Sequence, residues 1–247
     1  MPETRERPSL QYPTPQCWKD VEDALGAGID RLILYGQPGT GKTFAGLTMG
    51  NVRGGSHRLV CTEDMTSAEV VGHFMPTADG VWKWHNGAVV DGWNGDGTRG
   101  GRVVADEIDR ASGDVFALLL TMFDKPESAS WVHPETGEVL RPRRGFSVVM
   151  TSNIRNADDL PEALRDRFPV AIHIDQPHPE AVRRLSRDLR QAAFALAGAE
   201  DDRRISIRTF MAFDRLRSKL GPERAAAIIF GHRATDVLDA IRIDAVA

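Results

Sequence analysis

Residues 36 to 43 read Gly36-Gln37-Pro38-Gly39-Thr40-Gly41-Lys42-Thr43 and follow an apolar run, Leu32-Ile33-Leu34-Tyr35. The pattern G-x-x-x-x-G-K-[ST] directly after a strand-like segment is the context that a phosphate-binding loop requires. Glycines let the backbone fold into a nest whose N–H groups point at phosphate oxygens. Lys42 supplies a point charge for the β and γ phosphates, and the Thr43 hydroxyl can ligate Mg²⁺. A helix starting near Gly41 aims the positive end of its dipole at the same anion. All eight residues are therefore expected to form one nucleotide site.

Outward from this loop, short β-branched runs alternate with helical patterns, which marks a parallel sheet covered by helices. Strands are expected at 31–35, 57–62, 101–105, 146–151 and 169–174, with helices at 42–49, 66–71, 111–123 and 160–166. Gln176-Pro177-His178-Pro179 then breaks the alternation, and only helical patterns follow. Val182, Leu185, Leu189, Ala192 and Leu196 share one helical face, two more helices are expected at 209–220 and 222–230, and Thr235 is a candidate cap for a last one. The expected fold is α/β: a three-layer αβα phosphate-loop domain with a parallel sheet over residues 1–175, followed by a small all-α lid domain over 176–247.

A second chemical element is Arg102-Val103-Val104-Ala105-Asp106-Glu107, an apolar strand ending in paired carboxylates. Open α/β sheets bind ligands at such carboxyl ends. Asp106 can accept a hydrogen bond from Thr43 or from Mg²⁺-bound water, and Glu107 can polarise a water for attack on the γ-phosphate.

Composition excludes other classes. Acids and bases nearly balance, 35 against 31, which gives no global reason to expect nucleic acid or an anionic membrane as partner. Cys17 and Cys61 lack disulfide-scaffold or zinc spacing, so a reduced cytoplasm is the expected home. Residues 1–10 are charged and carry proline, and no apolar run approaches a membrane span. The seven histidines are scattered, and no G-x-S-x-G elbow occurs.

Together, the loop, residues 103–107, the strand ending Thr151-Ser152-Asn153, and Leu160-Pro161-Glu162-Ala163-Leu164-Arg165-Asp166-Arg167-Phe168 resemble the AAA+ ATPases of the MoxR and dynein-related branch. The closer likeness is Gly87-Ala88-Val89-Val90-Asp91 followed by Asp106-Glu107-Ile108-Asp109-Arg110-Ala111, where Asp109 departs from that branch's usual asparagine. The resemblance implies ATP and Mg²⁺ as cofactors and hydrolysis by an activated water. It implies that Asn153 holds that water as the sensor-1 residue, and that Arg208, in Ser206-Ile207-Arg208-Thr209, approaches the phosphates from the lid. Arg165 and Arg167 match the segment carrying a finger that reaches a neighbouring subunit's nucleotide, with Arg167 favoured because it precedes Phe168.

It further implies a homo-oligomeric ring, expected to be a hexamer, that remodels a protein client, such as one carrying a von Willebrand factor A domain supplied by another chain. Two segments would line the ring's pore: Trp82-Lys83-Trp84, leading to an expected hairpin turn at Asn86-Gly87, and 131–144, turning at Thr136-Gly137. Their aromatic and basic residues could grip a peptide, stack on bases, or pack on their own hairpins. A nucleic-acid translocase or loader and a nucleotide-gated scaffold with little turnover stand as alternatives.

Overall fold

The apolar run before residue 36 lies inside the sheet. The computed structural model describes residues 14–111, 113–199 and 203–246; residues 1–10, read above for targeting, lie outside the described residues. Helix α1 (Gln16–Gly26) leads into strand β1 (Arg31–Tyr35), and the glycine-rich loop passes into α2 (Lys42–Thr48). Strand β2 (Ser56–Val60) is followed by helix α3 (Ser67–Val70), strands β3 (Gly72–Pro76) and β4 (Trp82–Asn86), and helix α4 (Ala88–Asn94). Next come β5 (Arg102–Asp106), α5 (Gly113–Met122), the short strands β6 (Trp131–Val132) and β7 (Val139–Leu140), then β8 (Ser147–Ser152), α6 (Glu162–Arg167) and β9 (Val170–His173).

Five strands pair in parallel in the order β2-β5-β8-β1-β9, and they are the five expected from sequence. From β1 the chain crosses to the far edge at β2, returns through β5 and β8, then passes to the other side of β1 at β9. Strand order thus reverses around β1, and the carboxyl ends there open the crevice where such sheets hold ligands.

Period-two alternation builds the two faces of the sheet. Ile33, Val103, Ala105, Val148 and Met150 pack into one core with Val90, Trp93, Leu119 and Phe123. Leu32, Leu34 and Val149 pack into the other with Trp18, Val21 and Ala45. Helices α1 and α4 were not foreseen. The sequence of α4 is rich in valine and contains Gly92, both poor helix formers; a Cβ on Gly92 would come 2.4 Å from a Val103 methyl, so the glycine lets α4 lie close against β5.

The remaining helices, α7 (Pro179–Arg183), α8 (Arg190–Ala197), α9 (Ile207–Leu220), α10 (Pro222–Phe230) and α11 (Ala234–Val246), share a core of their own around Val182, Leu189, Phe210, Phe213 and Phe230. Val182, Leu185, Leu189, Ala192 and Leu196 all pack into this core as expected, but the helix carrying them is broken rather than continuous. Arg190 donates to the carbonyls of Arg183 and Leu185, and Asp214 accepts from the Ser186 amide, which stabilises the break between α7 and α8. Thr235 does not cap α11, because a 3-10 turn over Gly231–Arg233 runs straight into it.

The hairpin turn expected at Asn86-Gly87 also falls elsewhere. Strands β3 and β4 pair with Phe74 opposite Trp84, and the turn spans 77–81, where the Thr77 amide donates to Val81. Gly87 instead precedes α4; a Cβ there would meet the Val70 backbone at 2.6 Å. The second hairpin turns where expected, with the Gly137 amide donating to His133. Trp84 packs against Phe74, Trp131 and His133, joining the two hairpins, while Trp82 is largely exposed. Among the described residues, no helix is long and apolar enough to cross a membrane.

Candidate nucleotide site

The loop closes between β1 and α2 because Gly36, Gly39 and Gly41 all adopt positive φ, a region costly for residues with a Cβ. Space is as restrictive as conformation. A Cβ on Gly39 would lie 2.9 Å from Ser206 Cβ, and one on Gly41 2.8 Å from His178 Cβ. The C-terminal helices therefore press on the loop directly, with the His178 amide donating to Thr40 O at 2.7 Å and Arg204 donating to Pro38 O at 2.6 Å. Neither His178 nor Arg204 carries a sequence signal that sets it apart from other polar residues nearby.

Lys42 is buried, and its ammonium donates to Gly36 O at 2.7 Å, Gln37 O at 2.8 Å and Asn153 Oδ1 at 3.2 Å. Burial, aided by the positive charges of Arg204 and Arg208, pulls its pKa down to about 8, against the opposing pull of Asp106 and Asp109. Asn153 follows the end of β8 and offers its other side-chain atom, Nδ2, to Glu107 Oε1 at 3.4 Å.

Asp106 ends β5. Its Oδ1 accepts from Thr43 Oγ1 at 2.7 Å and Thr151 Oγ1 at 2.5 Å, and its Oδ2 accepts from Arg58. Burial would raise the carboxyl pKa, but these hydrogen bonds from Thr151, Thr43 and Arg58 outweigh it and hold the group below the usual carboxylate range. Glu107 is the only non-glycine residue with positive φ among the described residues, at 58°. A left-handed conformation costs about 1–2 kcal/mol for such a residue. Strain of this kind clusters where a side chain must be aimed.

Asp109 supplies what its departure from asparagine left unassigned. Its Oδ1 accepts from Ser152 Oγ at 2.6 Å and from the Asn153 amide at 3.3 Å, fixing the end of β8. The adjacent Arg110 pairs with Glu107 at 3.0 Å.

These groups face a cleft of about 440 Å³. Lys42, Thr43, Arg58, Asp106, Glu107 and Asn153 line its polar end, while Phe44, Ala181, Ile207 and Met211 line an apolar side, with Arg184 over the Phe44 ring at 5.2 Å. Arg208, in the first turn of α9, also lines it. The loop, both acids, Asn153 and Arg208 are thus brought together as the sequence suggested. Arg165 and Arg167 are not: Arg165 pairs with Asp158 at 3.4 Å, and Arg167 donates to Ala163 O at 3.2 Å in its own helix.

The family model described as AAA domain (dynein-related subfamily) matches residues 31–168, more than half of the chain. The chain belongs to that family. This bears out the likeness to the MoxR and dynein-related branch of AAA+ ATPases, and the matched span of the AAA domain holds the loop, both acids and Asn153. A crystal structure of a presumed ATPase from Cytophaga hutchinsonii is similar at 21% identity and a TM-score of 0.47, covering 68% of this chain and 48% of that one. The present chain thus spans about half the length of that protein. Among curated proteins, none matches.

Proposed function

We propose that the protein binds ATP with Mg²⁺ in this cleft, hydrolyses it, and uses the cycle within a ring to remodel a protein partner. The observation that carries this reading is the hydrogen-bonded chain Lys42–Asn153–Glu107 beside the Thr43–Asp106 pair. The residues present suit both groups. The positive-φ glycines curl the loop into a nest suited to phosphate, and the loop lysine lines the same cleft as the Thr43 hydroxyl and the Asp106 carboxylate, hard oxygen donors of the kind Mg²⁺ takes. Among the described residues, no cluster of three or more His, Cys, Asp or Glu is arranged to cage a metal, which accords with a cation that draws most of its ligands from water and phosphate.

When bound, Mg²⁺ and the triphosphate supply the transferable phosphoryl group and neutralise its charge. Lys42 contributes the fixed positive charge, and Thr43 and Asp106 hold the metal side. Glu107 accepts a proton from the attacking water at Oε1, the oxygen that Asn153 Nδ2 already faces. Arg208 brings positive charge from the C-terminal helices.

The segment 176–247 acts as a lid, a reading supported by its separate core and its contacts to Pro38 and Thr40. Ring assembly, six subunits by expectation, rests on the family, whose members usually form oligomers, and would place Arg165 or Arg167 in trans. The exposed Trp82 and Val81 offer apolar surface to a client such as a von Willebrand factor A domain on another chain.

The test is phosphate release by the wild-type protein and by Glu107→Gln. Turnover should fall by at least a hundredfold while nucleotide binding persists, since an amide cannot act as a base. The slow variant should retain client proteins in the presence of ATP. Hydrolysis near the wild-type rate in Glu107→Gln would move the base elsewhere, and stimulation by DNA with steep salt dependence would favour a translocase.

A further inference from the structure

Each carboxylate at the end of β5 is already paired with an arginine of its own chain, Glu107 with Arg110 and Asp106 with Arg58. The second pair is the more consequential. A carboxylate offers about four acceptor positions, two on each oxygen. On Asp106, Oδ1 takes the hydroxyls of Thr43 and Thr151, while Oδ2 takes both Nε and Nη2 of Arg58. Every acceptor position is therefore filled from within the chain.

Strand geometry explains how Arg58 arrives there. Its Cα lies opposite Val104 on β5, two residues before Asp106, so Arg58 and Asp106 fall on the same face of neighbouring strands. The Arg58 side chain is 50% exposed against 8% for Asp106, and both line the cleft that holds Lys42 and Thr43. A half-exposed guanidinium at the cleft wall can leave; the buried carboxylate cannot. Thr43 and Thr151 are neutral donors, so Arg58 is the only full positive charge in hydrogen-bond contact with Asp106 among the described residues.

We propose that Arg58 is an internal counter-ion that stands in for the divalent cation on Asp106, and that loading of the metal–nucleotide pair requires its release. Two cations cannot share this carboxylate without repulsion, so Arg58 sets the metal concentration at which the site fills. This rests on the reading of the cleft as a Mg²⁺–nucleotide site. Arg58 belongs to none of the motifs that mark the rest of the site.

The experiment is a Mg²⁺ titration of binding of a fluorescent ATP analogue to the full chain, with Mn²⁺ binding followed by electron paramagnetic resonance as a second readout. Arg58→Met removes the charge and keeps an aliphatic side chain; Arg58→Lys keeps the charge but loses the two-pronged contact. The midpoint in Mg²⁺ should shift to lower concentration by about threefold to tenfold in Arg58→Met, the range expected for losing one partly exposed charged competitor. Arg58→Lys should fall between Arg58→Met and wild type, and the Mn²⁺ midpoint should move the same way. An unshifted or higher midpoint in both variants, with wild-type thermal unfolding, overturns the inference while leaving the nucleotide site intact. Failure of the wild-type chain to bind the analogue at any metal concentration overturns both readings together.

Discussion

Asn153 Nδ2 lies 3.4 Å from Glu107 Oε1, joining residues 46 apart in sequence across the gap between β8 and β5. An amide in this place can donate to the carboxylate and accept from Lys42 at once, which neither aspartate nor leucine of similar size could do. Asn153→Leu should therefore leave nucleotide affinity within a few-fold of wild type and lower turnover by about 10²–10³, the usual effect of losing one positioned donor. Steady-state phosphate release and nucleotide titration on the same preparations separate the two quantities. A variant that loses affinity and keeps its turnover number would make Asn153 a binding residue only.

Lys42 makes binding depend on pH in a definite direction. Burial, with the charges of Arg204 and Arg208, holds its pKa in the nucleotide-free protein at about 8. Below that pH the ammonium is charged, and binding is independent of this group. Above it, nucleotide binding must take up a proton, and affinity should fall by up to tenfold per pH unit until the pKa of the bound state is reached. Between about 8 and 10.5 the unfolded chain holds the proton that the folded chain has lost, so the contribution of Lys42 to stability rises with pH there. Calorimetry at pH 9 in two buffers of different ionisation enthalpy should report uptake approaching one proton. Lys42→Arg should abolish it, because guanidinium stays charged. Zero uptake by the wild-type chain would show that Lys42 is already protonated.

What could be read in advance follows from how local the signal is. The loop and the end of β5 were legible because their chemistry is contained in a few consecutive residues. The three inner strands β1, β5 and β8 were legible because buried parallel strands are continuous apolar runs, whereas the edge strands β2 and β9 are only partly buried and were marked by short β-branched segments alone. Arg58, His178 and Arg204 were not, since each acts through a contact made only when distant segments pack, such as Arg204 on Pro38 across 166 residues. The misplaced hairpin turn has a related cause: Asn-Gly favours a turn, but Gly87 is demanded by its approach to Val70.

Helix α1 went unforeseen, and it carries a large share of one core. Trp18 is fully buried, its Nε1 donates to Gln176 O at 3.0 Å, and its ring meets His178 edge-on at 4.7 Å. Because the His178 amide in turn donates to Thr40, this indole braces the phosphate loop from behind. Trp18→Ala should cost about 3–5 kcal/mol in urea unfolding, as for other buried tryptophans cut to alanine. Trp18→Phe should recover most of that packing but not the hydrogen bond. A loss below 1 kcal/mol for Trp18→Ala would mean that α1 is dispensable to the core.

Arg165 and Arg167 give the last prediction, because neither reaches its own chain's cleft. Arg165 is exposed and pairs with Asp158 at 3.4 Å. Arg167 folds back on the carbonyl of Ala163, and its Nε is buried without a hydrogen-bond partner. A buried donor left unsatisfied costs about 1–3 kcal/mol, so Arg167 would gain by extending to an anion on a neighbouring subunit. On that ground Arg167 remains the preferred finger, and Arg167→Ala should retain nucleotide binding while losing turnover by about 10³ or more. Mixing makes the test specific to assembly. An Arg167→Ala chain keeps its own Glu107, and a Glu107→Gln chain keeps its finger, so rings containing both have sites that neither pure ring contains. Phosphate release by the mixture should exceed that of either parent and appear only where light scattering shows nucleotide-dependent oligomers. A mixture no better than the average of its parents, in demonstrably mixed oligomers, rejects Arg167, and the same mixing with Arg165→Ala then decides whether the exposed arginine takes its place.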